Sequence, residues 1–370
     1  MNAKSGKKRS WFYKLFVFLN IIAVLALLAS YAALFVDPRD FWPFAFAGLA
    51  YPVILFVNVF FILCWLVTWR RLVLLSLIPV LAGWTQITTL IPIHFGKPGT
   101  PDIHPVTVLT YNIHGFNYTE TGNAATQEAI ARFLKKEKPS VVCFQEFKPR
   151  GEATVQSLGD TFGLPNFYQK NYLQYKDPDV VYGMVIYSRD PILQTGYLRD
   201  DRNRAFAIWA DVLHDSQTYR IYNCHLVSVR FGSRDYSFYE DLKNQETEGL
   251  NLKDGLFSIL RKLKRAFLLR SEQSGKLAAS VNKSPHPVIL AGDLNDSPFS
   301  HCYHQLTRAL KDSYKEAGTG WGGNTFAGQL PSYRIDYILH DKRLKAVHYQ
   351  RHSMGFSDHF PVSVVINPVP

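Results

Sequence analysis

Cysteine is scarce in this chain of 370 residues: there are four, Cys64, Cys143, Cys224 and Cys302. Their spacing fits no zinc site, and the last three build no obvious disulfide framework. Cys64 lies in a very apolar run. Cys143 and Cys224 lie in strand-like runs, where cysteine acts as a small buried hydrophobe. Charge is also sparse, at 19% of residues, and acidic charge is the scarcer sign. Thirty Asp and Glu face 41 Lys and Arg, a net +11. That balance favours anionic partners, namely nucleic acid, phospholipid headgroups or phosphate esters, without choosing among them. The chain is too long for one ordinary domain. Its 47% hydrophobic content averages an almost wholly apolar first part with an ordinary globular remainder.

The first part is where charge is missing. Lys4, Lys7, Lys8 and Arg9 precede an apolar run over about 11–36. Asp37-Pro38-Arg39-Asp40 interrupts it, a second run covers about 42–69, Arg70-Arg71 follows, and a third covers about 72–91. Each has about the 20 residues a helix needs to cross a bilayer. Trp11, Trp42, Trp69 and Trp84 lie near run ends, as interfacial aromatics do. A cleavable signal peptide is the alternative for the first run, but two further runs follow it. Three transmembrane helices in 1–93 are therefore expected, with Pro52, Asn58 and Pro79 tolerated inside them. The basic clusters should stay in the cytoplasm, so the remainder lies outside it. In a bacterium that means a multi-pass inner-membrane protein with a periplasmic domain. Residues 94–105, with their Gly and Pro, read as a linker to a domain over 106–370.

That domain reads as a series of strands with polar tips. Pro287 to Pro298 is PVILAGDLNDSP: a buried-strand run, then Gly292, then Asp293, Asn295 and Asp296. Hard oxygen donors at a strand tip suit Mg²⁺ or Mn²⁺, or hold a water for attack on phosphorus; the same letters also make a good turn. Strands are expected at 106–111, 141–144, 183–187, 205–213, 219–224, 333–339 and 361–366. Helices are expected at 126–138 and 256–282. The tips carry Asn112, Glu146, His225, Asp293 with Asn295, and Asp358 with His359. Five such tips in one domain are hard to attribute to turns.

In order, the chain reads Thr-Tyr-Asn-Ile, Gln-Glu, Tyr-Ser-Arg, Asn-Cys-His-Leu, Gly-Asp-Leu-Asn-Asp, Arg-Ile-Asp-Tyr-Ile and Ser-Asp-His-Phe-Pro-Val. This series resembles the endonuclease/exonuclease/phosphatase superfamily, from about Val106 to Val365. The resemblance implies a four-layer α-β-β-α sandwich of two mostly antiparallel sheets and metal-dependent phosphoester hydrolysis. It implies Glu146 as main metal ligand with Asn112 and Asp358, and a His359–Asp336 pair facing the phosphate. It implies that Asp293 activates or orients the attacking water, with Asn295 holding water or phosphate. It further implies that His225 contacts phosphate or assists proton transfer, with Arg204 as a second phosphate contact. The residues alone leave other readings open. Asp336 pairs with Arg334, His225 is a core histidine, and Asp200 or Asp201 takes Arg204. Ser188-Arg189 reads as structural, and His94, His104, His114 and His301 receive no role.

The leading reading is a membrane-anchored, nuclease-like phosphoesterase. A phospholipid or sphingolipid headgroup hydrolase is the alternative within the family, and an inactive binding module the alternative outside it. No protein partner is inferable. Residues 256–270 form a basic amphipathic helix. It either covers a sheet or projects to meet anionic lipid.

Overall fold

The computed structural model describes residues 11–68, 71–93, 100–101, 104–116, 122–148, 152–174, 181–229, 252–321, 323–328 and 333–368. Lys4, Lys7, Lys8, Arg9, Trp69, Arg70, His94 and most of the 94–105 linker lie outside the described residues. The chain divides into two compact units. One holds Met1–Ile87 with Phe299–His301, the other Thr88–Pro298 with Cys302–Pro370.

In the first unit, α1 (Trp11–Phe35) is long and apolar enough to cross a membrane. The other two expected helices are not continuous. After α2 (Pro38–Phe41), α3 (Pro43–Leu49) and α4 (Tyr51–Val67) meet at 69°, and α5 (Val73–Ala82) and α6 (Trp84–Leu90) meet at 68°. Pro52 causes the first break, because it has no N–H to continue the α3 ladder and sits in the first turn of α4. The second break is at Gly83. Any side chain there would overlap the Tyr31 hydroxyl, which donates to the Pro79 carbonyl at 3.1 Å. Polar side chains tie the helices together. Asn20 Nδ2 donates to Ser76 Oγ at 2.6 Å, and Trp65 Nε1 donates to Asn20 Oδ1 at 2.8 Å. Phe12, Phe56 and Val67 face outward and are exposed.

The second unit holds two six-stranded sheets. One sheet contains β1 (Val106–Asn112), β2 (Val141–Phe147), β3 (Asn166–Gln174), β4 (Val181–Ser188), β11 (Leu344–Arg351) and β12 (Val362–Pro368), in the order β11-β12-β1-β2-β4-β3. The other contains β5 (Ile192–Arg199), β6 (Ala205–His214), β7 (Gln217–His225), β8 (Val288–Asp293), β9 (Leu310–Asp312) and β10 (Asp336–Asp341), in the order β5-β6-β7-β8-β10-β9. Each sheet has one parallel pair, β1 with β2 and β7 with β8, and its other pairs are antiparallel.

Three apolar clusters define the layers. Val108, Val141, Ile186, Ile208, Ile221 and Ile338 fill the space between the sheets. Outside the first sheet pack α7 (Gly122–Glu137) and α8 (Glu152–Phe162), through Ile130, Leu134, Leu158 and Phe162. Outside the second pack α9 (Leu252–Asn282) and α10 (His301–Thr307), through Leu277, Val281 and Leu306. A short helix, α11 (Ser313–Ala317), follows β9. The result is an α/β sandwich. The strand expected from Tyr333 begins only at Asp336, because Thr325 Oγ1 takes the N–H groups of Ile335 and Asp336, each at 3.0 Å.

Candidate active site

Side chains alternate along a strand, so each strand contributes one row to the space between the sheets. Those rows change character along their length. On β1 the row runs Val106, Val108, Thr110, Asn112; on β2 it runs Val141, Cys143, Gln145. On β7 it runs Tyr219, Ile221, Asn223, His225; on β8 it runs Ile289, Ala291, Asp293. Apolar residues give way to amides and then to ionisable groups. The amides bond to one another: Gln145 Nε2 donates to Asn223 Oδ1 at 2.7 Å and to Thr110 Oγ1 at 3.0 Å. Asn223 Nδ2 reaches the carbonyls of Phe144 and Val185 across the gap, each at 2.9 Å. This layer satisfies its own polar groups, as burial requires, and forms a floor beneath the tips.

Register does the rest. His225 pairs with Asp293 on parallel β8, and Asp293 with Asp336 on antiparallel β10, so the three stand in one cross-strand row. The β12 strand runs antiparallel to β1 and pairs Val362 with Thr110, which brings the preceding Asp358 and His359 to the same end. Glu146 needs a special device. The β2–β4 register slips between Phe144 and Phe147, and Glu146 has φ +50. This bulge re-aims its carboxylate toward Asn112, whose Nδ2 lies 3.3 Å from Glu146 Oε1 and 3.2 Å from Asp293 Oδ2. At the β8 tip, Gly292 has φ +141, and a side chain there would overlap the Cys224 backbone.

Asp293 is the hub. Its Oδ1 accepts the Asn295 N–H at 2.7 Å, and its Oδ2 accepts Asn295 Nδ2 at 3.1 Å. His225 Nε2 and His359 Nε2 stand 3.6 and 3.8 Å from Asp293 Oδ2. His359 Nδ1 is 2.9 Å from Asp336 Oδ2, and His225 Nδ1 is 2.8 Å from the Tyr172 hydroxyl. Burial, with Asp336 nearby, raises the Asp293 carboxyl to about 6. Burial alone pulls the His359 imidazole down, but Asp336 and Asp293 outweigh it and hold its pKa up at about 10. A proton acceptor and a lasting cation thus face each other across one small space.

Two donor sets present themselves to a metal. Asp293, Asp336 and His359 offer ligand atoms all within 4.8 Å of one another. However, His359 and Asp336 are already bonded to each other, so that group is partly closed on itself. The second set is Glu146, Asp358 and Asn112. Glu146 Oε2 and Asp358 Oδ1 each lie 3.6 Å from His114 Nδ1, so the two carboxylates flank that imidazole. Both are partly exposed, and hard oxygen donors of this kind suit Mg²⁺ or Mn²⁺.

Arg204 is not brought into this cluster by any contact among the described residues. Its guanidinium binds Asp200 Oδ2 through Nε at 3.0 Å and Nη2 at 2.6 Å, closing the β5–β6 turn. Arg334 does not pair with Asp336; it is buried against Asp312 Oδ2 at 2.7 Å. Arg189 bonds the carbonyls of Lys138 and Pro139, a strand-end network. The sequence assigns no role to His114, Tyr172 or Thr325, yet each touches a site residue. Only His114 carried a signal, its position two residues after Asn112.

Residues 109–359 match the sequence profile of the Endonuclease/Exonuclease/phosphatase family. Residues 13–90 match a domain of unknown function, DUF8431. No curated protein matches. Among solved structures, an endonuclease/exonuclease/phosphatase from Beutenbergia cavernae is 17% identical with a TM-score of 0.52, covering 72% of each chain. A humanized TDP2 of D. rerio is 17% identical with a TM-score of 0.50, covering 71% of this chain and 99% of that one. The human Nocturnin catalytic domain with bound sulfate is 15% identical with a TM-score of 0.50, covering 74% and 100%. At such identities these structures share the fold alone. The profile match spans more than half of the chain, and with it the chain belongs to the endonuclease/exonuclease/phosphatase family of phosphoester hydrolases.

Proposed function

We propose that this protein is a membrane-anchored, nuclease-like enzyme that hydrolyses phosphodiester or phosphomonoester bonds with a divalent cation. The observation that carries this reading is the meeting of Asp293, His225 and His359 around one carboxylate oxygen, beside Glu146. Asp293 takes a proton from the attacking water as the water oxygen bonds to phosphorus and the leaving oxygen departs. Asn295 fixes the Asp293 carboxylate and orients that water. His359 Nε2–H donates to a phosphoryl oxygen, and Asp336 on Nδ1 fixes the ring and its charge. His225, held by Tyr172, gives a second donor to the phosphate. Glu146, Asp358 and Asn112 would hold Mg²⁺ or Mn²⁺, which when bound neutralises charge on the phosphoryl and leaving oxygens.

The membrane setting rests on α1 and on each bent pair serving as one span. Polar links inside the first unit and apolar side chains outside it suit hydrocarbon surroundings. With three spans the catalytic domain lies on the non-cytoplasmic side, the periplasm for a bacterial inner membrane. A lipid-headgroup substrate is the second reading, favoured by the same apolar helix.

The test is a substrate panel on the detergent-purified full chain with Mg²⁺ or Mn²⁺. It contains single- and double-stranded DNA, RNA, phosphoinositides, sphingomyelin and phosphomonoesters. Glu146→Ala should lower turnover at least about a hundredfold with the fold retained. A folded Glu146→Ala protein with wild-type activity in EDTA would sink the metal-dependent reading.

A further inference from the structure

We propose that the first half of α9, through Arg265, is a contact helix that lies on an anionic phospholipid surface. Leu256, Leu260, Leu263 and Phe267 recur on one face of this 31-residue helix. Toward the end of the stripe that face is covered. Phe267 is buried, as is Arg270, whose Nη1 lies 3.2 Å from Asp296 Oδ1 and whose Nε donates to the Val227 carbonyl. At its start the same face is open: Leu256 is 53% exposed and its neighbour Phe257 54%. Among the described residues of this unit, no other two large exposed apolar side chains are adjacent in sequence. A helix whose only task is to cover a sheet has no use for this pair.

Charge selects the occupant. From Leu252 to Arg265 the helix carries Lys253, Arg261, Lys262, Lys264 and Arg265 against one acid, Asp254. Arg261 and Arg265 are exposed. Bulky apolar side chains beside basic ones, on a helix of low overall hydrophobicity, form the pattern of an interfacial helix. A nucleic-acid backbone would be met by the cations but gains nothing from Leu256 and Phe257. Lipid acyl chains and anionic headgroups use both. No catalytic residue enters this inference, so it stands apart from the hydrolase reading.

The test places a spin label at Phe257→Cys in the full chain, on a Cys64→Ser background, since the other three cysteines are buried. The protein is incorporated into nanodiscs of phosphatidylcholine alone or mixed with phosphatidylglycerol. In anionic discs at low salt, collision of the label with oxygen should rise and collision with a water-soluble nickel chelate should fall, each at least about threefold. High salt and Arg261→Glu/Arg265→Glu should each abolish the change. A label at Leu193→Cys, equally exposed but remote in sequence, should stay aqueous in every case. If the chain does not incorporate, the same labels with added vesicles read the helix directly. A Phe257 label that is equally aqueous in neutral and anionic bilayers overturns the proposal. So does a label that only single-stranded DNA immobilises, which would assign the helix to nucleic acid.

Discussion

Asp293 owes its character to a shortage of water, and His359 owes its own to the carboxylates of Asp336 and Asp293, which outweigh the effect of burial. A carboxyl raised to about 6 gives up its proton within the neutral range, and an imidazole held at about 10 keeps its own. Their joint titration sets the expected rate profile. The kcat/KM value should rise with pH to a limb near 6 and fall again near 10, and a flat profile between pH 5 and 8 would remove Asp293 as proton acceptor. Stability follows the same groups with definite signs. The raised pKa of His359 contributes stability that is whole below its ordinary value near 6.5 and is lost as pH rises through about 10. Urea unfolding of the cation-free protein should therefore lose a few kcal/mol between pH 7 and 10. His359→Gln should flatten that slope. Arg334 is a different kind of buried charge. It is held by Asp312 and stacked on Tyr314 at 4.6 Å and Tyr337 at 4.8 Å. Arg334→Met strands Asp312 and should destabilise the domain by about 3–5 kcal/mol, readable as a drop in the denaturation midpoint.

Single elements show why some of this was legible in the sequence. The β8 strand is six buried residues ending in Asp293, so apolar run and site announce each other. The β1, β2 and β7 strands share that form. The β3, β5 and β11 strands went unread because their side chains are only partly buried and leave no apolar run; β5 is exposed at Leu193, Gln194 and Thr195. Contacts between elements were illegible for another reason. That Arg204 closes on Asp200 was one of the readings its neighbours left open, but that His114 stands between Glu146 and Asp358 depends on loop conformations no spacing encodes. The left-handed backbone at Glu146 is likewise a property of the bulge and not of its letter. Gly292 is the exception, a letter that states its geometry. Gly292→Ala forces a side chain onto the Cys224 backbone at φ +141 and should cost about 1–3 kcal/mol or more. Because Asp293 follows directly, turnover should fall further than the lost stability explains, which kinetics on the folded fraction would reveal.

For the whole molecule, the open question is how many times the chain crosses a bilayer, and the two bent pairs make it testable. If α1 alone crosses, everything after it lies on one side. If α3 with α4 and α5 with α6 each cross once, the turn at Arg71 returns to the cytoplasm and the catalytic domain does not. Both schemes put the end of the chain outside, so a reporter after Pro370 tests only whether the number of crossings is odd. A reporter between Trp69 and Leu72 separates them. The distribution of basic residues leads to the expectation that Arg70 and Arg71 share the cytoplasmic face with the N-terminal cluster. The hydrogen bonds from Asn20 to Ser76 and from Trp65 to Asn20 need α1, α4 and α5 packed side by side, as three spans would be. The loop reporter should therefore be active only in the cytoplasm. Asn20→Leu, which removes both links, should lower the heat resistance of the detergent-purified protein by about 1–2 kcal/mol for the pair. A loop reporter active outside would leave α1 as the sole crossing and make both bent pairs re-entrant or peripheral.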